Sequence, residues 1–288
     1  MALVDVQPVS TPFELFRGRA DALVAAHPVV TSNRYTTWFS GGSATEDDVR
    51  HLTVQFSVFS HLFLEAQLRK VIHAATLEGY RAGKEILLNE LGVVFKAPAG
   101  DVAAGGSEGV DPHLVATEGS VDGGRFRFAA AHFEWLLRFA RPLGLGFDDL
   151  GKRHLASPAT AHLCDELLRT YGSADPSTAE GASYAIEHWA AAGFWKELIA
   201  GLEVFRAGSC PELQLAFWTW HDQVEDQHAA HTTDELAAAH GLPGFAEERF
   251  LAGAAEVLDA MAVFWDGLDA DRRGATRPAA ASVEVVAS

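Results

Sequence analysis

The chain has 288 residues, 48% of them hydrophobic, and sets 22 basic side chains against 39 acidic ones for a formal net charge of −17. So acidic a surface repels phosphate backbones and anionic lipid, which argues against nucleic acid and membrane as partners. No apolar run approaches the roughly 20 residues that span a bilayer, and the opening MALVDVQPVSTPFELF lacks the basic and long apolar regions of a secretory signal. Cys164 and Cys210 lie far apart and form no CxxC pair, so two reduced thiols in a cytoplasmic protein are expected.

Apolar residues recur at helical spacing almost throughout, without convincing alternating strands. A first helix is predicted over 12–26, ended by His27-Pro28, and a turn-rich stretch, 28–44, follows. Thr45 with Asp48 three residues on forms a capping-box pattern that opens a long helix to about residue 77. The next helix, 79–91, stops at Gly92. Residues 93–124 are glycine-rich and poor in large apolar side chains, longer than an ordinary connection, and are expected to be a lid or insert. Helical spacing resumes at 125–140 and breaks at Pro142. Ser157-Pro158 and Asp175-Pro176 each place a capping side chain before a proline at the first helical position, opening helices to Gly172 and to about 206. Pro211 precedes a helix to about His240, and a last helix, 244–270, leads into a small-residue tail, 271–288, expected to be disordered. With no internal repeat and no linker, residues 1–270 read as one all-α domain of antiparallel helices.

The stretch WTWHDQVEDQHAAH, 218–231, carries chemistry. On a helix Glu225 lies about 40° from His221 and His228 about 20° on the other side, so the three project within roughly 60°. Phe217 and Trp218 extend the stripe toward a core. Such a face is either a solvated polar surface or a set of ligands, since one metal ion partners all three groups at once. In YAIEHWAAAGFWKELIAGLEVF, Glu187 stands alone as a charge on an apolar stripe, with Lys196 on the opposite side. It must pair across the bundle or bind a cation. His132 shares its side with Phe128, Ala129, Trp135, Leu136 and Phe139, and Glu90 lies near a glycine stop; by itself each suits a core histidine and a helix-end glutamate. Together Glu90, His132, Glu187, His221, Glu225 and His228 amount to three imidazoles and three carboxylates from separate helices, a set that suits two iron or manganese ions sharing carboxylates. The seven tryptophans, at helical spacing, read as core. GGSEG is not followed by a helix carrying Lys-Ser/Thr, and no serine-centred nucleophile motif occurs.

Ferritin-like proteins use two Glu-x-x-His motifs; this chain has only Glu225 with His228. LLNELG at 87–92, HFEWLLRFARPLGL at 132–145, EHW at 187–189 and HDQVEDQH at 221–228 resemble instead the heme-oxygenase-like diiron oxidases, grouped as iron-containing redox enzymes, over most of 45–240. The resemblance implies a heme-oxygenase-like antiparallel helical bundle that holds two Fe(II) ions and no heme, with Glu90 and His132 as the upstream ligands, Glu187 as the central one, and His221, Glu225 and His228 from the last motif. It further implies dioxygen as co-substrate and a small amine- or carboxylate-bearing metabolite of specialised biosynthesis, altered by N-oxygenation or by oxidative C–C cleavage or desaturation. An iron–manganese pair, an external electron donor and a homodimer are all compatible with it. Two departures stand out. The 93–124 insert separates the first glutamate from the first histidine, which makes Glu118 or His113 alternatives to Glu90, and Glu225 replaces the more usual aspartate. The rival expectation is a metal-free protein of the same fold: a cofactorless oxidase, a thiaminase-like enzyme or a small-ligand binder.

Overall fold

The computed structural model describes residues 11–94, 127–128 and 130–274, with backbone alone for 93–94, 127–128, 224–228 and 231. The first part of the chain is helical: α1 (Pro12–Ala26), the short α2 (Pro28–Thr31) and α3 (Arg34–Ser40), the long α4 (Glu46–Ile72), and α5 (Leu77–Glu90). A two-residue antiparallel ladder follows, β1 (Val93–Val94) with β2 (Arg127–Phe128). Beyond it run α6 (His132–Ala140), α7 (Pro158–Arg169), α8 (Pro176–Trp189), α9 (Trp195–Gly208), α10 (Ala216–His240) and α11 (Glu247–Arg272).

Local chemistry sets these boundaries. Thr11, Thr45, Ser157 and Asp175 each accept a hydrogen bond from a first-turn N–H, and Glu14 and Asp48 complete reciprocal capping boxes. The 28–44 stretch is less irregular than its composition suggests. His27 Nδ1 accepts from Val29 N–H, and Asn33 Oδ1 accepts from Tyr35 and Thr36 N–H, so two short helices form there. Residues 141–157 turn in 3₁₀ loops tied to α4: Gln55 donates to the Leu155 carbonyl at 3.0 Å and accepts from Ser157 N–H at 2.8 Å and Thr160 hydroxyl at 2.7 Å.

One predicted element is two. The spacing through 175–206 predicts an unbroken helix, but residues 190–194 form a π segment in which Gly193 has φ +106°. That widened turn separates α8 from α9 and shifts the phase of every side chain beyond it.

Neighbouring helices run mostly antiparallel. Gly181 of α8 faces the Phe250 backbone and Gly253 of α11 faces that of Thr178, so the two helices approach so closely that a Cβ on Gly181 would collide with the Phe250 carbonyl oxygen. Along α8 and α10, His188 reaches Thr233 while Glu180 and Glu235 share Lys70. The α4–α7 pair runs parallel, with Gln55 beside Thr160 and His73 beside Gly172. The main core joins α4, α6, α9, α10 and α11 around Trp218, whose ring lies 5.0 Å from Phe56 and 5.4 Å from Phe139. Trp189, Trp195, Trp218 and Trp265 are buried, as the helical spacing predicts, whereas Trp38, Trp135 and Trp220 are only half-buried. No described helix is long and apolar enough to cross a membrane.

Candidate metal centre

Glu90 is the last residue of α5 and His132 the first of α6. They are distant in sequence, yet the His132 Nδ1 lies 2.7 Å from Glu90 Oε2. The ladder accounts for this. Pairing Val93 with Phe128 and Val94 with Arg127 closes the intervening segment at its base and lays the end of α5 against the start of α6. α6 is held open at that end by Glu134, whose carboxylate accepts the Ala131 N–H at 3.2 Å. Glu134 is thus a helix cap, consistent with its place on the side opposite His132.

α10 supplies the third group. His221 is buried and its ring centroid lies 4.9 Å from that of His132, the planes at 75°. One ligand atom each from Glu90, His132 and His221 falls within 4.8 Å of the others. His221 Nδ1 stands 2.6 Å from the Phe217 carbonyl oxygen. With the proton on Nδ1 and donated there, the Nε2 lone pair is left for a ligand, the usual way a backbone carbonyl fixes the tautomer of a metal-binding histidine. Aromatic rings wall the group: Trp135 and Trp220 lie against His132 at 5.0 and 4.6 Å, and Trp195 stacks on His221 at 4.8 Å.

The residues fit a metal ion. His132 is 3% exposed, and neither ring nitrogen has an aligned hydrogen-bond partner, in spite of the nearby carboxylate oxygen. A histidine and a glutamate that approach closely without aligning suit two groups directed at a common third. Two imidazoles and one carboxylate also form the donor set that holds a single non-heme ferrous ion with positions left open.

The other expected ligands fall as follows. Glu187 is buried on α8 but is not part of the triplet. Judged from the α8–α10 pairings, and from Trp195 against His221, it lies along α8 between the levels of His221 and Thr233. Glu225 and His228 are on the α10 backbone, as the spacing predicts, with side chains outside the described residues. Glu118 and His113, the alternatives to Glu90, also lie outside them.

A charged cluster that the sequence reading passed over lies deeper in the bundle. Lys70 of α4 is 5% exposed, donates to Ser183 Oγ at 2.8 Å, and has Glu180 and Glu235 oxygens each at 3.5 Å. Burial pulls the ammonium pKa down, but the charges of Glu180, Tyr171, Glu235 and Glu187 outweigh it and leave the group raised above its ordinary value. Burial raises Glu180, against the pull of Lys70. Glu187 therefore has a cation in its surroundings, and Glu235 is a member of an interior ion pair. The signal for Lys70 was weak: LRK near a helix end looks like a solvated basic terminus.

No protein-family model and no curated protein matches the chain. Solved structures do. A CADD-like protein of unknown function from Nostoc punctiforme PCC 73102 aligns with a TM-score of 0.59 and 18% identity, covering 92% of this chain and 98% of its own. A TenA homolog from Pseudomonas syringae pv. tomato str. DC3000 aligns with a TM-score of 0.60 and 11% identity, covering 89% and 91%. At such identities the likeness carries the fold, and the fold of this chain is the heme-oxygenase-like all-α bundle.

Proposed function

We propose that the chain is a non-heme diiron oxidase or oxygenase that acts on a small amine- or carboxylate-bearing metabolite. The observation that carries this reading is the convergence of Glu90, His132 and His221 from three helices inside a wall of aromatic rings. Glu187, Glu225 and His228 would complete the second half of the centre. Ferrous ions bound there would supply the electrons that activate dioxygen.

The protein's own contribution follows from the described residues. The Phe217 carbonyl holds the proton of His221 at Nδ1 and so orients Nε2 inward. Trp135, Trp195 and Trp220 exclude water and lock both imidazole planes. Glu90, with 22% of its side chain exposed, is the most accessible of the three and marks the side from which a substrate enters. The ladder beneath it holds the carboxylate against His132 as the substrate arrives.

A second reading, a metal-free protein of this fold, draws on the equal likeness to the TenA homolog. Anaerobic loading of the full chain with Fe(II), followed by metal analysis, separates the two. Close to two irons per chain is expected, and His132→Ala or His221→Ala should abolish stoichiometric binding. One iron per chain would reduce the centre to the described triplet and remove the diiron assignment; none would favour the metal-free reading.

A further inference from the structure

A run of ring contacts leads without a break from the candidate centre to the surface of α3. Trp195 stacks on His221 at 4.8 Å with planes at 23°, Phe194 lies on Trp195 at 4.4 Å and 34°, and Trp189 lies on Phe194 at 4.1 Å and 9°. Trp265 of α11 follows at 6.4 Å from Trp189, then Tyr35 at 5.7 Å and Trp38 at 5.5 Å. Every ring before the last is buried and Trp38 is half-buried, so the run starts at a candidate ligand and ends at solvent.

Packing alone does not account for the choice of indole along it. The N–H groups of Trp189 and Trp265 are buried and have no hydrogen-bond partner among the described residues, which costs stability. Phenylalanine would fill most of either place without that cost. What indole has and phenylalanine lacks is a ring that gives up an electron readily. With no acceptor at the nitrogen, an oxidised Trp189 or Trp265 keeps its proton. The positive charge then passes to the next ring instead of being trapped by proton loss.

We propose that this run of rings is an exit for oxidising charge, from the candidate centre to the Trp38 face. The inference rests on the reading above only for iron at His221. When dioxygen has oxidised the centre and no substrate is present, one electron at a time moves inward from ring to ring and the positive charge moves outward. A soluble one-electron reductant of the thiol or enediol class supplies the electron at Trp38 and releases a proton to solvent. The reductant is oxidised, the centre is reduced, and no bond to carbon is made or broken. The Arg272 guanidinium stands 4.1 Å over the Trp38 ring and disfavours a positive charge resting there, so the exit discharges only to a donor at the surface. Trp135 and Trp220, also half-buried, stand against His132 itself. Charge leaving by them passes the ligands, whereas the Trp195 run carries it to α3, which supplies none.

A ruthenium photo-oxidant attached through Thr37→Cys, an exposed position beside Trp38, tests the run in the Fe(II)-loaded full chain without turnover. Cys164 and Cys210 are buried and stay unlabelled. After a flash with oxygen excluded, the oxidised label should draw an electron from Fe(II) through the rings, seen as a fast recovery of the label and a ferric signal by electron paramagnetic resonance. Trp265→Phe leaves no readily oxidised indole between Trp38 and Trp189 and should remove the fast phase; Trp189→Phe should slow it. Trp218→Phe takes away an equally buried indole that lies off the run, 6.0 Å from Trp195, and should leave the fast phase in place. Circular dichroism and iron content identify the variants that keep fold and metal. With iron bound, a fast phase missing from the unsubstituted chain, unchanged by Trp265→Phe and Trp189→Phe, or lost equally in Trp218→Phe would overturn this proposal alone. A chain that binds no iron would overturn the diiron reading and this proposal with it.

Discussion

Beside α8 and at the end of α5, the same bundle encloses carboxylates in two different ways. Around Lys70 the protein provides its own cation: one ammonium lies 3.5 Å from both Glu180 and Glu235 and bonds Ser183 as well. At the α5–α6 junction Glu90 meets two imidazoles, one anchored through Nδ1 to a backbone carbonyl and the other without an aligned hydrogen bond. A buried carboxylate with a fixed internal ammonium is committed to structure. A carboxylate facing imidazole lone pairs is arranged for a cation that comes and goes. The contrast separates what holds this fold together from what it can use.

Removing the internal cation should give the largest effect. Lys70→Met leaves Glu180 and Glu235 buried without it, and a loss of about 3–5 kcal/mol is expected by urea unfolding followed by circular dichroism. Adding Glu180→Gln and Glu235→Gln should restore much of it; no restoration would mean that Lys70 acts by packing alone. The pH dependence has a definite sign. The folded Lys70 pKa lies above its ordinary 10.5, so its contribution is intact below pH 10.5 and lost as pH rises beyond. The unsubstituted chain should show a steeper alkaline loss than Lys70→Met, in which only the buried tyrosines Tyr35, Tyr171 and Tyr184, raised by burial, still contribute.

The α5–α6 end should respond to metal in its place. Fe(II) at a hundred times its dissociation constant should stabilise the chain by about 2.7 kcal/mol, measured as a rise in the anaerobic unfolding midpoint, and His221→Ala should abolish the rise. A comparable rise in that variant would break the comparison. Gly181→Ala probes the α8–α11 contact on the rigid side, next to Glu180 and away from the α5–α6 end, since the new methyl collides with the Phe250 carbonyl. A loss of about 1–3 kcal/mol with metal binding unchanged is expected. The smallest effect concerns His61, whose pKa is held below the ordinary 6.5 by burial and then by Lys152. The unfolded chain takes up that proton first, so stability is complete above pH 6.5 and declines below it. His61→Phe retains a ring contact with Phe133 and should reduce that decline in thermal melts, leaving the part that His188, also lowered by burial, contributes.

Much of this was legible in the residues. Thr45 with Asp48, Ser157-Pro158 and Asp175-Pro176 marked helix starts that the structure reproduces, because a cap is a local bond between neighbours in sequence. His132 and His221 could be picked out by the apolar company they keep on a helix. Other features depend on what arrives from elsewhere in the chain. AAAGF fits a helical pattern, so the π segment at 190–194 left no mark beyond one tolerated glycine. Lys70 is interior only because α8 and α10 close over it. The ladder of β1 and β2 is too short for any alternation to show, and without it nothing in the spacing of Glu90 and His132 foretells their contact.

That ladder also frees the spacing of two ligands from the length of chain between them. Once Val93 and Val94 are zipped to Phe128 and Arg127, whatever is strung beyond the zip can be shortened, lengthened or exchanged at a loop-closure cost that grows only with the logarithm of its size. The register of α5 against α6, and with it the Glu90–His132 contact, is thus set by the zip rather than by the length of chain that joins its two strands.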